Sequence, residues 1–284
     1  MRFATAEIDS NEFHLLRDYI EQNCGIFLLE EKMYLVCTRL TSLMVESGCN
    51  SFAELYHKAL SDVSFRLRDK IVEAITTNET FWFRDESPFV ILGEELFKNF
   101  AAEIGSGRRS KIKIWCAGCS TGQEPYSIAM TVLEFIRKQQ ILKPEHVEIL
   151  GTDISSAVLY IAMAGRYDGL AMSRGLPEEL KNRYFDPDGK VWVIKNDVKK
   201  MVRFQKLNLQ DDFYHLENQD IVFCRNVLIY FSNEFKKDIL KRISRVLGPG
   251  GNLFLGASES LFNLTQDYRM FRHTMGFYYA KELK

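Results

Sequence analysis

Apolar residues recur every three to four positions along the first 75 residues, which is the pattern of amphipathic helices. The first such stretch includes Phe13 and Ile20, with Ser10 as the expected N-cap and Gly25 as the stop. Three further stretches show the same period, at residues 33–44, 51–60 and 67–75. Short helices joined by short turns predict a small helical bundle, which we take as a domain of residues 1–75.

From Lys111 onward the pattern changes to short apolar strands that alternate with amphipathic helices. Strands are predicted at residues 111–116, 147–151, 202–207, 220–224, 251–256 and, as a final edge strand, 275–280. Helices are predicted at residues 88–100, 125–137, 155–164 and 234–247. This alternation indicates an α/β domain with a mostly parallel, doubly wound sheet, which we assign to residues 76–284.

Two runs of β-forming residues interrupt this alternation. Asp188 and Gly189 separate the two runs, and this pair favours the tight turn of a β-hairpin. We therefore expect a small antiparallel β-subdomain at about residues 184–203, inserted into the main domain.

The charge balance adds little to this picture but argues against two classes of partner. With 37 Lys and Arg against 38 Asp and Glu, the net charge is −1, which favours neither nucleic acid nor insertion at a membrane. No apolar run approaches the roughly 20 residues that span a bilayer. Residues 1–9 lack the apolar core of a signal peptide, and the six cysteines are scattered, so we expect a cytoplasmic protein with free thiols.

The segment between the first predicted strand and its helix, residues 115–125, has the general form of a cofactor cradle. Gly118 and Gly122 allow the backbone to approach a ligand closely, and the segment leads into a helix N-terminus. It contains neither the Gly-Lys-Ser/Thr of a phosphate-binding loop nor a Gly-x-Gly-x-x-Gly fingerprint. The two glycines alone fit several cofactors, and they fit a tight turn without any ligand equally well.

Two carboxylates narrow the choice of ligand. Asp153 ends the second predicted strand, where an acid binds ribose hydroxyls or caps the next helix. Glu124 stands beside the glycines, where it disfavours a phosphate and favours a cation, or interacts with the positive end of its own helix. An acid and no lysine in residues 117–124 favour S-adenosylmethionine, which carries an ammonium and a sulfonium, over a dinucleotide.

A third group of candidate residues follows the strand at residues 220–224. Asn226 offers both a donor and an acceptor at the strand end, and Tyr230 has the length to reach a bound substrate. Tyr230 and Phe231 fit a hydrophobic core equally well. The residues alone therefore leave the role of Tyr230 open.

Five motifs stand in order along the chain. They are TTNETFWFR at 76–84, WCAGCSTGQEPYS at 115–127, GTDIS at 151–155, CRNVLIYF at 224–231 and GASES at 256–260. Together they resemble the motifs of CheR-type methyltransferases, the chemotaxis-receptor glutamate O-methyltransferases, over nearly the whole chain. The resemblance implies a Rossmann-like class I methyltransferase domain, an N-terminal helical domain that faces the receptor, and a small β-subdomain.

The resemblance also implies roles for individual residues. The residues expected to contact the cofactor are Asn78, Thr80, Arg84, Gly118, Glu124, Asp153, Asn208, Leu209, Asn226 and Val227. In this arrangement Glu124 holds the methionine portion, Asp153 binds the ribose, and Asn208 lies near the adenine. Arg84 and Tyr230 are the expected catalytic residues.

The implied reaction moves the methyl group of S-adenosylmethionine to glutamate carboxylates in the cytoplasmic helical region of chemotaxis receptors. The products are glutamate methyl esters and S-adenosylhomocysteine. A glutamate with its ordinary pKa of about 4.3 is ionised at neutral pH, so we expect neither a general base nor a metal. Family members that tether a C-terminal receptor peptide have a longer turn than residues 186–190, so we expect no tether here. We also expect a monomer.

Other chemistries fit the residues less well. Cys116 and Cys119 have the spacing of a redox or metal pair, but no second pair follows, and the five histidines show no ligand spacing. A dinucleotide oxidoreductase is disfavoured by the missing fingerprint and by Glu124. A non-catalytic receptor-docking module would predict the loss of site residues, and all of them are present: Arg84, Glu124, Asp153 and Tyr230.

Overall fold

The structure is a computed structural model that describes residues 7–282, and it begins with a helical bundle. The helices of the bundle are α1 (Ser10–Cys24), α2 (Met33–Glu46), α3 (Phe52–Ser61) and α4 (Arg66–Ile75). Phe13, Leu40 and Ile71 are fully buried in its core, which confirms the helices predicted from the spacing of apolar positions. The chain leaves α4 at Thr76 in an extended conformation.

The start of α1 differs by one residue from the prediction. The N-cap is Asp9 rather than Ser10: the Asp9 carboxylate accepts from the Glu12 amide at 2.8 Å, and Glu12 Oε2 accepts from the Asp9 amide at 3.2 Å. This reciprocal pair is a capping box, and Ser10 is the first helical residue. Gly25 ends the helix in a left-handed conformation, with φ 73°, as predicted.

Strands and helices alternate through the second domain. The strands are β1 (Ile112–Ala117), β2 (Val147–Asp153), β3 (Arg166–Asp168), β4 (Phe185–Asp188), β5 (Val191–Ile194), β6 (Val202–Lys206), β7 (Gln219–Cys224), β8 (Leu247–Leu255), β9 (Tyr268–His273) and β10 (Gly276–Lys281). The helices are α5 (Ser87–Ile91), α6 (Phe97–Gly105), α7 (Gln123–Lys138), α8 (Ser156–Ala164), α9 (Gly169–Met172), α10 (Glu178–Tyr184), α11 (Asn196–Lys199) and α12 (Asn233–Val246). A π-helical turn at Leu92–Leu96 joins α5 to α6. Across residues 7–282, no helix combines the length and the apolar character needed to cross a membrane.

The large sheet of the described chain has the strand order β6-β2-β1-β7-β8-β10-β9. Neighbouring strands from β6 to β8 are parallel, and β10 is antiparallel to both β8 and β9. This order confirms the predicted doubly wound, Rossmann-like α/β fold. The chain order reverses at β1, so the carboxyl ends of β1, β2 and β7 meet where such folds bind their ligands.

The C-terminal end of the sheet differs from the prediction. The strand expected at the edge, β10, lies inside the sheet between β8 and β9, and β9 is the edge strand. Met270 and Phe271 are adjacent on β9 and both are exposed. Because neither face of β9 is buried, its sequence lacks the alternation by which a strand is predicted.

The small antiparallel sheet is present, but the predicted bounds of residues 184–203 were wrong. Its strand order is β3-β5-β4, and the hairpin between β4 and β5 turns at Gly189 as predicted. The third strand, β3, is too short to be recognised from its pattern. Val202 and Arg203 belong to β6 of the large sheet, where they pair with β2. We therefore define the small-sheet subdomain as residues 166–194.

Candidate active site

A cleft of about 930 Å³ lies between the helical bundle and the carboxyl edge of the large sheet. The strand register creates this edge, since Ala117 pairs with Thr152, and Asp153 pairs with Lys206. All eleven predicted site residues line the cleft. They are Asn78, Thr80, Arg84, Gly118, Glu124, Asp153, Asn208, Leu209, Asn226, Val227 and Tyr230. The structure thus brings together side chains that are up to 152 positions apart in the sequence, from 78 to 230.

The loop after β1, residues 118–122, forms one wall of the cleft, and we call it the glycine loop. Position 118 requires glycine for two reasons. Gly118 has φ 72°, and a Cβ atom there would lie 2.5 Å from Cγ2 of Val227. The left-handed backbone and the close approach both exclude a larger residue. The hydroxyl of Ser120 in the same loop donates to the carbonyl of Asn78 at 2.8 Å, which ties the loop to the interdomain segment.

Asp153 lies at the end of β2 with its carboxylate buried beside this loop. Its Oδ2 atom accepts from the Ser120 amide at 2.8 Å, and its Oδ1 atom accepts from the Ser155 amide at 3.0 Å. Burial raises the pKa of Asp153, and the backbone hydrogen bonds oppose that rise. The N-cap of α8 is Ser155, whose hydroxyl accepts from Val158, so Asp153 is not itself the helix cap. Each Asp153 oxygen retains a lone pair for a ligand hydroxyl.

Glu124 belongs to an ion-pair network centred on a buried arginine. Arg225 donates from Nη1 to Glu124 Oε2 at 2.7 Å and from Nη2 to Asp85 Oδ2 at 2.7 Å. Nη2 also donates to the Arg84 carbonyl at 2.6 Å. The Arg225 side chain is 1% exposed, and its Nε atom is buried without a partner among residues 7–282. Burial raises the pKa of Glu124, and the Arg225 guanidinium opposes that rise.

Arg84 provides a cationic group at the cleft. Its Nη1 atom donates to the Glu79 carbonyl at 3.1 Å, and its guanidinium lies 5.4 Å from the centre of the Phe81 ring. The neighbouring Asp85 pairs with Arg225 instead. Within the described chain no carboxylate forms an ion pair with Arg84, so its remaining N–H groups are available to an anionic ligand group.

Residues 226–231 form the wall opposite the glycine loop. Asn226 adopts a left-handed conformation with φ 57°, and Glu259 stabilises it. The Glu259 carboxylate accepts from the amides of Asn226 at 2.7 Å, Val227 at 3.1 Å, Ile229 at 3.2 Å and Gly256 at 2.7 Å. One buried carboxylate therefore fixes the backbone of the whole wall.

Tyr230 and Phe231 have different environments. Both line the cleft, but Phe231 is a buried member of the core of the sheet, whereas Tyr230 is half-buried and packs against that core. The Tyr230 carbonyl accepts from the Phe27 amide at 2.8 Å, and its hydroxyl makes no hydrogen bond with another residue in the range 7–282. The core interpretation thus holds for Phe231, and Tyr230 combines a core contact with a place at the cleft.

The helical bundle closes the third side of the cleft. The Asn208 side-chain amide donates to the Asn23 carbonyl, and the Gln210 side-chain amide donates to the Glu21 carbonyl, both at 2.8 Å. Cys24 at the end of α1 lines the cleft directly. The bundle is therefore part of the site.

Backbone strain is concentrated around the cleft. Eight non-glycine residues of the described chain have positive φ, and five of them lie in the segments that carry site residues. These five are Phe83, Asp85, Glu86, Ser120 and Asn226. Such conformations persist only where the surrounding structure enforces them, and they cluster at functional sites.

Two family profiles match the chain. Residues 78–277 match the SAM-binding domain of CheR methyltransferases, and residues 11–76 match their all-alpha domain. The chain belongs to the CheR methyltransferase family. Residues 78–277 are accordingly an S-adenosylmethionine-binding methyltransferase domain.

Curated relatives of this CheR-family chain match it along its length. Chemotaxis protein methyltransferase Cher2 of Pseudomonas putida is 43% identical over 277 residues, which are 97% of this chain and 98% of that protein. Chemotaxis protein methyltransferase 1 of Pseudomonas aeruginosa is 45% identical over 269 residues, or 94% and 97% of the two chains. The chemotaxis protein methyltransferase of Vibrio parahaemolyticus is 43% identical over 274 residues, or 96% and 97%.

Two residues of this CheR-family site were not assigned a role by sequence reasoning. Arg225 stands inside the motif at 224–231, and a lone cation directly after the apolar run Ile221–Cys224 signals a buried ion pair. Glu259 stands inside the motif at 256–260, and its signal is weaker, since an acid in a Gly/Ser turn is usually solvated. The structure shows that both organise the walls of the cleft.

The two cysteines with the spacing of a redox or metal pair lie at the end of β1 and in the loop after it. Cys116 and Cys119 are free and buried, and burial raises the pKa of both thiols. In the part of the chain that the structure describes, no three His, Cys, Asp or Glu side chains are grouped as metal ligands.

Proposed function

We propose that this CheR-family enzyme transfers the methyl group of S-adenosylmethionine to glutamate carboxylates in the cytoplasmic helical region of chemotaxis receptors. The products are glutamate methyl esters and S-adenosylhomocysteine. The observation that carries the proposal is the set of eleven predicted residues around one cleft, in a chain similar to chemotaxis protein methyltransferases over its length. The proposed enzyme is cytoplasmic and works as a monomer without a metal.

The residues of the cleft fit a cationic adenosyl cofactor. Glu124 Oε2 pairs with Arg225, and Glu124 lines the cleft, where its carboxylate can also accept from an ammonium group. Asp153 at the end of β2 is placed to accept from ribose hydroxyls. S-adenosylmethionine supplies a methyl group on a sulfonium, which needs no further activation.

The remaining contacts follow the family pattern. We assign the adenine to Asn208 and Leu209, of which Leu209 is buried. Asn226 and Val227 form the facing wall, held by Glu259. Asn78 and Thr80 extend the site along the interdomain segment.

Arg84 acts mainly as an anchor for the cofactor carboxylate. It is a half-buried cation without a carboxylate partner among the described residues. Tight pairing of Arg84 with the attacking carboxylate would stabilise the ground state more than the transition state and would slow the reaction.

Tyr230 orients the acceptor glutamate. Its hydroxyl is free to donate to that carboxylate, because the described structure offers it no other partner. The acceptor is already ionised at neutral pH, so alignment of the two reacting groups is the main task of the protein. The short turn at Gly189 gives no reason to add tethering of a C-terminal receptor peptide to this proposal.

The cofactor assignment is tested by calorimetry on the full chain. We expect S-adenosylhomocysteine to bind with micromolar affinity without added metal. Binding of NAD with no heat from S-adenosylmethionine or S-adenosylhomocysteine would instead indicate a dinucleotide enzyme.

The acceptor assignment is tested by radiolabelled methyl transfer to receptors from the same cell. We expect label in base-labile methyl esters that map to glutamates of the cytoplasmic helices. Arg84→Ala and Tyr230→Phe should lower the transfer rate far more than the melting temperature. Label in base-stable positions, or near-wild-type turnover of both variants, would contradict the proposal.

A further inference from the structure

The small-sheet subdomain, residues 166–194, contacts the glycine loop through one tyrosine. Tyr167 on β3 is 3% exposed, and its hydroxyl donates to the carbonyl of Thr121 at 2.8 Å. A Cβ atom on Gly122 would lie 3.2 Å from the same hydroxyl oxygen, so the loop and the tyrosine are in close contact. Thr121 stands between Gly118 and Glu124, which both line the cleft.

The same subdomain also holds the interdomain segment. Trp82 is fully buried, and its ring packs edge-on against Tyr167 and Phe185 at centroid distances of 4.9 and 5.2 Å. Its indole N–H donates to the Ala171 carbonyl at 3.1 Å, and its backbone amide donates to the Arg174 carbonyl at 3.2 Å. Trp82 stands between Thr80 and Arg84 in the sequence, so the subdomain anchors the segment that carries both.

A third contact shows that this packing is close and specific. Gly175 has φ 78°, and a Cβ atom there would lie 2.1 Å from the carbonyl oxygen of Trp82. Only glycine fits this position. Arg174, next to it, pairs with Glu79 at 2.8 Å, which adds a surface link to the same segment.

The glycine loop needs support of this kind. Gly118, Ser120 and Gly122 all have positive φ, at 72°, 51° and 93°. A run of left-handed residues keeps one geometry only when its surroundings enforce it. The Asp153 carboxylate fixes the Ser120 end of the loop, and the Tyr167 hydroxyl fixes the Thr121 end.

We propose that the small-sheet subdomain is a positioning element of the cofactor site, in which Tyr167 fixes the glycine loop and Trp82 fixes the interdomain segment. Tyr167 and Trp82 act through the residues they hold and are positioning residues. The subdomain therefore sets cofactor affinity whether or not anything docks on its outer surface. The identity of the cofactor in this inference rests on the proposed function.

The test compares Tyr167→Phe with Tyr184→Phe in the full chain. Tyr184 is a matched control: it is a buried tyrosine of the same subdomain, and its hydroxyl donates to Glu134 at 2.6 Å, outside the cleft. Each variant keeps its ring and loses one hydrogen bond. We expect Tyr167→Phe to raise the Kd for S-adenosylhomocysteine and the KM for S-adenosylmethionine about threefold to tenfold, the size of one neutral hydrogen bond. The KM for the acceptor and kcat should change less than twofold, and Tyr184→Phe should change none of these.

A second variant keeps the inference testable if Tyr167→Phe folds poorly. Trp82→Phe removes the indole N–H that bonds to Ala171 and leaves an aromatic ring in place. Because it acts on the segment of Arg84, which anchors the cofactor in the proposed function, we expect it to raise the KM for S-adenosylmethionine and to leave the KM for the acceptor within twofold of wild type. An unchanged KM for S-adenosylmethionine in a folded Trp82→Phe protein would contradict the role of this segment.

Two results would overturn the inference about the loop. One is a Kd for Tyr167→Phe within twofold of wild type, and the other is equal weakening in Tyr167→Phe and Tyr184→Phe. The proposed function fails separately, by absence of adenosyl-ligand binding in the wild-type chain. If the wild type binds NAD instead, the two tyrosine variants are compared with NAD, and the positioning role is still decided.

Discussion

The two sides of the cleft are built from different interactions. The side formed by the large sheet depends on buried charges, with Arg225 and Glu259 each making several hydrogen bonds to the walls. The side formed by the helical bundle depends on half-buried and exposed groups. Examples are the Asn208 amide bonded to the Asn23 carbonyl, the Arg39 guanidinium bonded to the Thr76 carbonyl, and the surface pair Lys206–Asp69. One side is built on buried ion pairs and hydrogen bonds to buried carboxylates, and the other resembles an ordinary domain contact.

This difference indicates which side of the cleft has its geometry fixed more firmly by the fold. Burying a charge is unfavourable by several kcal/mol, and its interaction partners offset this penalty only when their geometry is good. A neutral hydrogen bond contributes about 0.5–1.5 kcal/mol net. The sheet side therefore holds its groups in place before a ligand binds. For the same reason, substitutions on this side should be more damaging. The bundle side should tolerate substitution and should influence the cofactor less.

The largest expected effect is that of Arg225→Met. The change leaves Glu124 and Asp85 without their cation, and breaking such a buried pair costs about 3–5 kcal/mol of the free energy of unfolding. Displacement of Glu124 and of the Arg84 segment should also lower kcat/KM about 100-fold or more. Urea denaturation and initial-rate measurements check the two effects.

The control for Arg225→Met is Arg137→Met. Arg137 is 55% exposed and pairs with Glu134 at 3.6 Å, so its loss should change the free energy of unfolding by less than about 1 kcal/mol. Similar losses in the two variants would remove the distinction between the buried side and the surface.

Glu259→Gln should have the second-largest effect. Glutamine keeps the size of the side chain but presents an N–H₂ group to backbone amides that need an acceptor. Unsatisfied buried amides cost about 1–3 kcal/mol. We expect a corresponding loss of stability and a Kd for S-adenosylhomocysteine raised about tenfold, since 1.4 kcal/mol is tenfold in affinity.

Hydrogen exchange localises the effect of Glu259→Gln. The amides of Asn226, Val227 and Gly256 should exchange faster in the variant, because each donates to Glu259 in the wild type. Glu234→Gln, on the exposed start of α12, is the matched control and should change nothing. Wild-type exchange at these amides would show that Glu259 does not hold the wall.

The contrast between the two sides also explains which parts were predictable from sequence. The fold followed from periodicity, Gly118 and Asp153 followed from their places at strand ends, and Glu124 followed from its place at a helix start. Arg225 has a local signal, since it directly follows an apolar run, but its partner Glu124 is 101 positions away and no local pattern identifies it.

Short or exposed elements were the least predictable. β3 has three residues and β9 has no buried face, so neither gives a periodic signal. The bounds of the small-sheet subdomain were wrong for the same reason. Contacts such as Tyr167 with Thr121 depend on tertiary packing and could not be read from the chain.

The pH dependence of cofactor binding should respond to a substitution on the sheet side of the cleft and not to one on the bundle side. Burial raises the pKa of Glu124 and of Asp153 in the cofactor-free protein. A cationic ligand favours the ionised Glu124, so affinity is full above the raised pKa and is lost as the pH falls through it. The loss for one such group is about twofold when the pH equals that pKa. Calorimetry with S-adenosylhomocysteine should show weakening that begins above the ordinary glutamate pKa of about 4.3.

A Glu124→Gln variant tests the origin of this pH dependence. It removes one of the two titrating carboxyls, so its affinity should be lower at neutral pH and should fall less steeply on acidification. An unchanged profile would mean that Glu124 does not face the ligand. Asn208→Ala, on the bundle side, should keep the wild-type profile because it removes no titrating group.

The smallest effect is expected for Lys206→Ala at the bundle side. Lys206 Nζ lies 2.7 Å from Asp69 Oδ2, and the two side chains are 46% and 40% exposed. Exposed pairs of this kind contribute about 0–1 kcal/mol. A double-mutant cycle with Asp69→Ala should give a coupling energy below about 1 kcal/mol, and the Kd for S-adenosylhomocysteine should stay within twofold of wild type. A coupling as large as the loss in Arg225→Met would mean that the bundle is held as rigidly as the sheet, because only a desolvated pair reaches such values.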